Sequence, residues 1–376
     1  MKRREFIRRG LQWGSLAAMP AVIVDSAVAA KANSLKAPPS CGLKVGVQSV
    51  KAQLQDPAFA QLAIANFQML TPGNELKWAR LRTGPDSYNF TDADWMVSFA
   101  QQNGMLVHGH NLCWNAEGTN PSWFPSVLTR ENARQYLTQH ITTVMGRYRG
   151  RIDSWDIVNE PVVPWSKRSD GLYPGIWLNM LGPEYIDIAF HAAFAADPKA
   201  LRVLNIYYVE HGIPEQEKAR RDTLLLLQQC IRRGVPIQAV GIESHLDASQ
   251  PPGGADLARF LHDVRALGLE VLITELDVND TQVPGNFQAR DAVVAKCYSD
   301  YLLDVVPAAH VNRLVFWTAS DKGNWLNSVH SPKFQRADGA PHRPGLLDEN
   351  LIPKPAYTAV SEAIERICVN RSGKIQ

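Results

Sequence analysis

The sequence predicts a single-domain α/β protein with a closed (β/α)8 barrel. Eight short apolar runs alternate with helical stretches along the chain, and such alternation is typical of a parallel sheet. Most of these runs are almost continuously apolar, as expected for strands that are covered on both faces. A chain of 376 residues without a low-complexity linker or an internal repeat favours one barrel over several small domains.

The eight predicted strands are short and are spread along the whole body of the chain. They begin at Lys44, Phe67, Met105, Ile152, Leu201, Ile237, Leu269 and Arg313. Three helices have clear signatures. One follows Thr129 and has apolar residues along one face. A second begins at Pro214 and stops before Gly234, and a third follows Pro355. In such a barrel the chemistry lies at the carboxyl ends of the strands.

Composition and charge exclude several classes of protein. Apolar residues make up 45% of the chain and charged residues 20%, which excludes a disordered chain, a collagen and a coiled coil. The formal charge is +2, but five basic and two acidic residues lie within the first thirty, so the remainder carries −1. A nearly neutral body is not expected to bind nucleic acid. No glycine-rich nucleotide motif follows the first strand, and no cofactor is expected.

Residues 1–29 have the pattern of an export signal. A basic start is followed by an apolar stretch and by the Ala-Val-Ala of residues 27–29, with an alternative cleavage site three residues further on. Arg3 and Arg4, followed by Phe6, resemble a twin-arginine signal, so the twin-arginine export machinery is an expected partner. A membrane anchor is the alternative, but the apolar stretch is shorter than the ~20 residues that span a bilayer. We therefore expect a periplasmic or secreted protein without a stable membrane anchor.

The rest of the chain divides into three parts. Residues 30–41 form a lead-in, residues 42–368 the catalytic barrel and residues 369–376 a C-terminal tail. Five cysteines occur, and none has the Cys-x-x-Cys spacing of zinc or redox sites. Cys41 precedes the first strand and Cys368 follows the last helix, at the end of the barrel where the chain termini meet. A disulfide bond between them is a hypothesis, and a monomer is the expected state.

Two glutamates end strands that are otherwise apolar. The fourth strand ends in WDIVNEP, which contains Glu160, and the seventh ends in ITELDV, which contains Glu275. A buried polar group is costly unless it is paired, so two such groups at one rim indicate a function, with structural capping as the alternative. Asn159 and His245 are expected nearby. Two facing carboxyl groups suit glycoside hydrolysis, in which one protonates the leaving oxygen and the other attacks or activates water.

Six segments give this pattern a more specific resemblance. They are TPGNELKW from Thr71, HGHNLCW from His108, WDIVNEP from Trp155, VGIESHL from Val240, ITELDV from Ile273 and FWTASDKGNW from Phe316. In this order and on these strands they resemble glycoside hydrolase family 10, the β-1,4-xylanase family with a (β/α)8 barrel. The resemblance covers roughly residues 42–366. It implies an endo-acting, retaining hydrolase that cleaves a β-1,4-linked polysaccharide, xylan or a related glycan, through a covalent glycosyl-enzyme.

The resemblance also implies a role for each matching residue. Glu160 would be the acid/base and Glu275 the nucleophile, and Asn159 would hold the sugar 2-hydroxyl. His245 would hydrogen-bond to the nucleophile, and Asp277 would orient His245. The residues implied to bind the polysaccharide through polar groups or aromatic faces are Asn74, Lys77, His110, Trp114, Glu243, Tyr207, Trp317 and Trp325. No metal is implied.

Four positions depart from the family pattern. Gly73 stands where a glutamate is usual, and Asn115 replaces a histidine. Ile206 replaces an aspartate, and Glu243 replaces a glutamine beside the nucleophile. We expect the four to cluster on the glycone side and three of them to alter polar contacts that xylan would use, at about 1–3 kcal/mol for a lost contact. A negative charge on Glu243 would also disfavour a charged nucleophile. A bacterial exopolysaccharide, cleaved by the same chemistry, is therefore the alternative substrate.

Two interpretations from other classes stay open. The first is a metal-dependent hydrolase, because His108 and His110 face the same way on one strand. His245 and Asp321 lie at later strand ends, but no bridging ligand is evident on the fourth strand. The second is a non-catalytic carbohydrate-binding barrel, which the four departures suggest and the intact glutamate pair argues against.

Overall fold

The computed structural model describes residues 34–116, 118–329 and 331–373. The predicted export signal, with its cleavage site after residue 29, lies outside the described residues. Within the described part of the chain, no helix is both long enough and apolar enough to cross a lipid bilayer.

The strands of the described residues form one parallel sheet that closes on itself. They are β1 (Lys44–Ser49), β2 (Met69–Pro72), β3 (Leu106–Gly109), β4 (Ser154–Asn159), β5 (Leu201–Ile206), β6 (Ala239–Ile242), β7 (His245–Asp247), β8 (Glu270–Asn279) and β9 (Arg313–Phe316). Their order is β6-β5-β4-β3-β2-β1-β9-β8-β7, and β6 also pairs with β8, which closes an eight-stranded barrel. The short strand β7 pairs only with the far end of β8. The predicted (β/α)8 barrel is confirmed, with β8 and β9 as its seventh and eighth staves.

Helices and loops follow the barrel strands and cover the outside of the sheet. The helices of the described residues are α1 (Lys51–Leu54), α2 (Pro57–Asn66), α3 (Trp78–Leu81), α4 (Thr91–Gln102), α5 (Phe124–Val127), α6 (Ala133–Arg147), α7 (Ile176–Leu181), α8 (Glu184–Ala196), α9 (Pro214–Arg232), α10 (Gly254–Ala266), α11 (Phe287–Ala308) and α12 (Pro355–Arg371). The three helices with clear sequence signatures are confirmed as α6, α9 and α12. Leu137, Ile141 and Val144 of α6 are completely buried, as the predicted apolar face requires. Gly234 has φ of 74°, and this left-handed conformation stops α9 where the sequence predicts.

The chain enters and leaves the barrel at the same end. Leu35 and Ala37 of the lead-in are buried in the main hydrophobic core, so this segment packs against the barrel. Cys41 and Cys368 form the disulfide bond that the sequence suggested, with their Cα atoms 4.9 Å apart. Arg371 donates a hydrogen bond to the carbonyl oxygen of Cys41 at 3.2 Å. The end of α12 is thereby joined to the start of β1, at the opposite end from the strand carboxyl termini.

Irregular pairing in two strands shapes the barrel interior. The pairing of β4 with β5 shifts between Asp156 and Val158, and the pairing of β8 with β9 shifts between Ile273 and Leu276. Each shift inserts one extra residue, and such bulges re-aim side chains beside active sites. In β4 the bulge lets Asp156 and Asn159 both face the interior, although regular alternation would place them on opposite faces.

Candidate active site

The two glutamates singled out in the sequence lie at the carboxyl ends of β4 and β8. Glu160 follows β4 with φ of 48°, a left-handed conformation that is uncommon outside glycine and recurs at functional sites. Its N–H donates to the carbonyl oxygen of Asn205 at 2.9 Å. Glu275 is 4% exposed, and its N–H donates to the carbonyl oxygen of Glu243 at 3.0 Å. Main-chain bonds to neighbouring strands therefore fix both residues at one rim of the barrel.

The carboxylate of Glu275 is surrounded by one amide and two imidazoles. Asn205 Nδ2 donates to its Oε1 at 2.9 Å. His245 Nε2 lies 3.4 Å from Oε2, and His110 Nδ1 lies 3.7 Å from Oε1. Burial raises the pKa of Glu275, but the two imidazoles outweigh burial, so the pKa lies below its ordinary value. Glu275 is therefore ionised at neutral pH, as a nucleophile must be.

A chain of hydrogen bonds orients His245 toward Glu275. His245 Nδ1 lies 2.7 Å from Asp277 Oδ1, which leaves Nε2 to face the nucleophile. The indole N–H of Trp325 donates to the other oxygen of Asp277. Burial lowers the pKa of His245, but the charges and hydrogen bonds of Asp277 and Glu275 raise it well above its ordinary value. His245 is thus a cation that holds Glu275 in its charged form.

Glu160 titrates in the opposite direction. Burial first, and then the negative charge of Glu275, raise the pKa of Glu160 to about 7. A hydrogen bond from Glu243 opposes part of this rise. Near neutral pH one carboxyl of the pair is consequently protonated while the other is charged. A general acid and a nucleophile need this division, and here it follows from the surroundings of two identical side chains.

Asn205 connects these groups, and the sequence analysis did not identify it as a site residue. Besides its bond to Glu275, its Nδ2 donates to Asn159 Oδ1 at 2.8 Å and to Glu243 Oε1 at 3.2 Å. Its Oδ1 accepts a hydrogen bond from Thr274 Oγ1 at 2.7 Å, which fixes the orientation of the amide. A polar residue near the end of an apolar strand, LRVLNI, was the signal that could have revealed it.

Glu243 places a third carboxyl beside the pair. It follows β6 and is 2% exposed. Burial, and then the negative charges of Glu275 and Glu160, raise the pKa of Glu243 well above its ordinary value of 4.5. A neutral carboxylic acid both donates and accepts hydrogen bonds, as the amide of glutamine does. The raised pKa favours the neutral form of Glu243, which lacks the negative charge that would disfavour an ionised Glu275.

Asn74, Lys77 and Trp114 lie together at the ends of β2 and β3. Lys77 Nζ is 3.5 Å from Asn74 Oδ1 and 5.6 Å from the centroid of the Trp114 ring. Burial lowers the pKa of Lys77 more than the nearby carboxyls of Glu275 and Glu160 raise it. The ammonium group lies within electrostatic range of both glutamates, so these three predicted residues belong to the same site.

Trp317 and Trp325 lie on the His245 side of the cleft. The ring centroid of Trp317 is 5.1 Å from that of His110 and 6.3 Å from that of His245. The ring centroid of Trp325 is 5.2 Å from that of His245. Tyr207 directly follows β5. The structure brings all the predicted site residues to one rim, and it assigns Trp325 to the support of Asp277.

His108 and His110 share one carboxylate on the neighbouring strand. Asp156 Oδ2 lies 3.0 Å from His108 Nε2 and 2.9 Å from His110 Nδ1. Burial raises the pKa of Asp156, but the two imidazoles bring it below its ordinary value. The prediction that the fourth strand lacks a bridging ligand was wrong, because Asp156 lies on β4. Asp321, named with this set, instead pairs with Lys354 at 3.0 Å.

Among the described residues, two sets of side chains have the geometry to hold a metal ion. His110 and Asp156 form one set with Glu275, and Glu243 and His245 form the other with Glu275. In each set the ligand atoms lie within 4.8 Å of one another. Glu243 and His245 carry protons that a metal would have to displace. In this structure the other residues of both sets determine the charge and the position of Glu275.

Two of the four departures from the family pattern do not lie where the sequence analysis expected. Ile206 is 1% exposed within the hydrophobic core, because alternation along β5 turns it away from the face that carries Asn205. Asn115 Oδ1 accepts hydrogen bonds from the main-chain N–H groups of Trp177 at 2.9 Å and Leu178 at 3.4 Å. In the structure Ile206 and the amide oxygen of Asn115 contact the protein itself, and an effect of the four departures on sugar binding stays a prediction.

An ionised and a protonated carboxyl at one rim of a (β/α)8 barrel are what the hydrolysis of a glycosidic bond requires. The protein is a glycoside hydrolase. The sequence profile of glycosyl hydrolase family 10 matches residues 35–363, and the chain belongs to this family.

Individual relatives are similar over most of their length. The chain is 31% identical over 322 residues to endo-1,4-β-xylanase 3 of Hypocrea jecorina, covering 85% of this chain and 81% of that protein. It is 32% identical over 314 residues to endo-1,4-β-xylanase B of Thermotoga neapolitana, covering 82% and 83%. Its fold is similar to that of xylanase 10B from Thermotoga maritima, with a TM-score of 0.78, 31% identity and coverage of 90% and 99%. The enzyme is of the endo-1,4-β-xylanase type.

Proposed function

We propose that the enzyme hydrolyses β-1,4 bonds within xylan chains and retains the anomeric configuration. The observation that carries this proposal is the opposite titration of two carboxyls at one rim. Glu275 has a lowered pKa, whereas the pKa of Glu160 is raised to about 7. The similar proteins from Hypocrea jecorina and Thermotoga neapolitana are endo-1,4-β-xylanases, which supports xylan as the polymer and internal bonds as the target.

The reaction follows from these charges in two displacements. In the first, a Glu275 oxygen attacks the anomeric carbon while Glu160 gives its proton to the oxygen of the leaving chain, and the glycosidic bond breaks. The products are a glycosyl ester on Glu275 and a shortened chain. In the second, Glu160 is a carboxylate and takes a proton from water as the water attacks the anomeric carbon and releases Glu275.

The neighbours of Glu275 support this sequence of steps. His245 and Asn205 hold the attacking carboxylate in place and in its charged form. Asn205 also binds the amide oxygen of Asn159, so the Asn159 amide nitrogen is the group left for the sugar 2-hydroxyl. A hydrogen bond at that hydroxyl strengthens as charge develops on the sugar ring in the transition state. We therefore assign Asn205 as a positioning residue for both neighbours.

The surroundings of the departures favour xylan over a bacterial exopolysaccharide. Asn115 and Ile206 contact protein rather than the cleft, so they do not select a sugar. The raised pKa of Glu243 favours its neutral form, which can make the hydrogen bonds of a glutamine side chain. Gly73 has Gln48 beside it. Relative turnover on xylan, mixed-linkage glucan and the host's own polysaccharide tests this preference, and faster turnover of the host polysaccharide would reverse it.

Trapping of the covalent intermediate tests the mechanism directly. An activated xylobioside with fluorine at its second carbon should label the enzyme with one fluoroxylobiosyl group, and mass spectrometry should locate the group on Glu275. The Glu275→Gln variant should stay unlabelled. A label on another residue, or a wild-type enzyme that binds xylan without either labelling or turnover, would overturn the proposal in favour of a different mechanism or a binding protein.

We also propose that the enzyme is exported in folded form by the twin-arginine route to the periplasm or the medium. The sequence pattern of residues 1–29 supports this location, and so does the Cys41–Cys368 bond, because disulfides persist in oxidising compartments. Replacement of Arg3 and Arg4 with lysine should retain the enzyme in the cytoplasm in a fractionation experiment. Unchanged export of that variant would exclude the twin-arginine route.

A further inference from the structure

Trp165 is a tryptophan that the protein leaves in solvent close to its catalytic rim. It lies in the loop between β4 and α7, five residues after Glu160. Its side chain is 55% exposed, and it is the one tryptophan among the exposed large apolar residues of the described chain. An exposed aromatic ring beside a binding cleft is more informative than a buried one, because burial would explain the residue by packing alone.

The position of Trp165 is fixed although its ring is exposed. Its ring centroid lies 6.0 Å from that of Tyr207, 6.5 Å from that of Tyr208 and 6.4 Å from that of Tyr173, with interplanar angles of 65° to 81°. Contacts of this kind hold the ring in place, while about half of the side chain stays exposed to solvent. We call these four residues the aromatic wall.

The loop that carries Trp165 is itself closed by hydrogen bonds. Val163 N–H donates to the carbonyl oxygen of Gly171 at 3.1 Å, and Ser166 Oγ donates to the carbonyl oxygen of Leu172 at 2.7 Å. The ring is thus held before any ligand arrives. Binding to a preformed surface avoids much of the entropy cost of ordering a mobile loop.

The aromatic wall lies on the side of the cleft from which the leaving chain departs. Tyr207 comes two residues after Asn205, which pairs with Asn159 and whose carbonyl oxygen accepts a hydrogen bond from the N–H of Glu160 at 2.9 Å. The acid protonates the leaving oxygen, so the leaving chain lies on the side of Glu160. Trp317 and Trp325 lie beside His245, which faces the nucleophile Glu275. A chain that passes Glu160 and Tyr207 next reaches Trp165.

We propose that Trp165 forms a subsite for a sugar ring of the leaving chain, beyond the sugar that is attached to the cleaved bond. The inference rests on the proposed function. The ligand is the apolar face of a β-1,4-linked pyranose, which stacks on the open indole face while its hydroxyls stay in water. The enzyme consequently discriminates by the length of chain on its leaving side.

The consequence appears in catalysis of long substrates only. Binding energy from a remote sugar can lower the activation free energy of hydrolysis. A substrate that lacks this sugar is therefore cleaved with a lower kcat/KM. An aryl xylobioside has no sugar on the leaving side and cannot reach Trp165. Xylohexaose fills both sides of the cleft. A comparison of the two substrates therefore distinguishes the contribution of the aromatic wall from that of the catalytic residues.

The test compares Trp165→Ala with wild type on both substrates. For xylohexaose kcat/KM should fall about tenfold, the size of one lost aromatic contact, and cleavage should move to other bonds of the chain. For the aryl xylobioside kcat/KM should stay within about twofold. Trp165→Phe, which keeps a flat ring, should restore most of the activity on xylohexaose.

Phe194→Ala is the matched control. Phe194 lies on α8 and is 47% exposed, and the guanidinium carbon of Arg202 lies 5.0 Å from its ring centroid. Phe194 has no part in the site. It should leave both substrates unaffected. Equal losses on the two substrates in Trp165→Ala, or no loss on either, would overturn the proposed subsite. A wild-type enzyme that cleaves neither substrate would instead overturn the proposed function.

Discussion

The side chain of Gln48 fills the space in which a side chain at position 73 would begin. A Cβ on Gly73 would overlap Gln48 Nε2 and would lie 2.8 Å from its Cδ. Gln48 pairs with Thr71 near the carboxyl end of β1, and its half-exposed side chain reaches the catalytic rim. The glycine and the glutamine therefore depend on each other. Where a glutamate at position 73 would place its side chain, this protein has the amide of Gln48 from the neighbouring strand β1.

Replacement of Gly73 alone with glutamate is expected to lower both stability and activity. The new side chain must displace the flexible end of Gln48, so the loss should lie at or below the low end of the about 1–3 kcal/mol that overpacking costs in a closed core. The double variant Gln48→Ala with Gly73→Glu should regain most of the loss. Denaturant unfolding and kcat/KM on xylan measure the two effects. Gly146→Ala in α6, where a Cβ meets nothing within 4 Å, is the control. A stable, fully active Gly73→Glu variant would contradict the dependence.

The barrel and the glutamate pair could be predicted from sequence because their signals are local. An apolar run that ends in a carboxylate reveals a strand end at a polar rim without knowledge of any partner. Glu160 and Glu275 were found in this way. The buried face of α6 was likewise visible in its own spacing.

Other features depend on contacts between distant segments. Asn205 was missed because its role comes from three acceptors on other strands, at 2.8, 2.9 and 3.2 Å. The relation of Gln48 to Gly73 crosses from β1 to the end of β2. Asn115 was assigned to the sugar, but its acceptor is used by the start of α7. In each case the residue type was visible, whereas the partner required the fold.

The loss of Glu160 and the loss of Glu275 should affect substrates with good and poor leaving groups differently. Glu160→Ala should lower kcat on xylan by about 10²–10⁴-fold, because the leaving chain needs a proton. It should lose far less on an aryl xylobioside with an acidic phenol, which leaves without one, and added azide should restore turnover. Glu275→Ala should be inactive on both substrates. Steady-state rates measure this, and equal losses in Glu160→Ala on both substrates would refute its role as the acid.

Loss of the Cys41–Cys368 bond should lower stability without affecting catalysis. The two cysteines are 327 positions apart, and cross-links over long loops stabilise most, here by about 3–5 kcal/mol. The bond lies at the end of the barrel opposite Glu160 and Glu275, so kcat/KM at 25 °C should be unchanged. Guanidinium unfolding of the Cys41→Ser, Cys368→Ser double variant measures the loss. Cys297→Ser, which alters a free thiol, is the control. A large loss of activity in the double variant would argue against this separation.

Glu243→Gln is expected to change the alkaline side of the pH profile and little else. Below neutral pH the neutral acid and the amide make the same hydrogen bonds, so the rates should agree. At higher pH both enzymes lose the protons of Glu160 and His245, whereas only the wild type can also lose that of Glu243. The alkaline limb of log(kcat/KM) should therefore be steeper by about one unit in the wild type than in the variant. Glu243→Ala, which lacks a donor, should be impaired at every pH. Equal alkaline slopes would show that ionisation of Glu243 does not matter.

The same substitution should also change how stability depends on pH. The pKa of Glu243 in the folded protein lies well above the ordinary value of 4.5, to which it returns on unfolding. Below that ordinary value both states hold the proton, and the full stability is present. As pH rises toward the folded pKa, the unfolded chain releases the proton first, so stability is lost. Glutamine does not titrate, and the stability of Glu243→Gln relative to wild type should therefore increase from pH 4 to pH 8. Urea unfolding at both pH values measures the difference. A relative stability that instead decreases with pH would mean that Glu243 is ionised and paired with His245 in the folded enzyme.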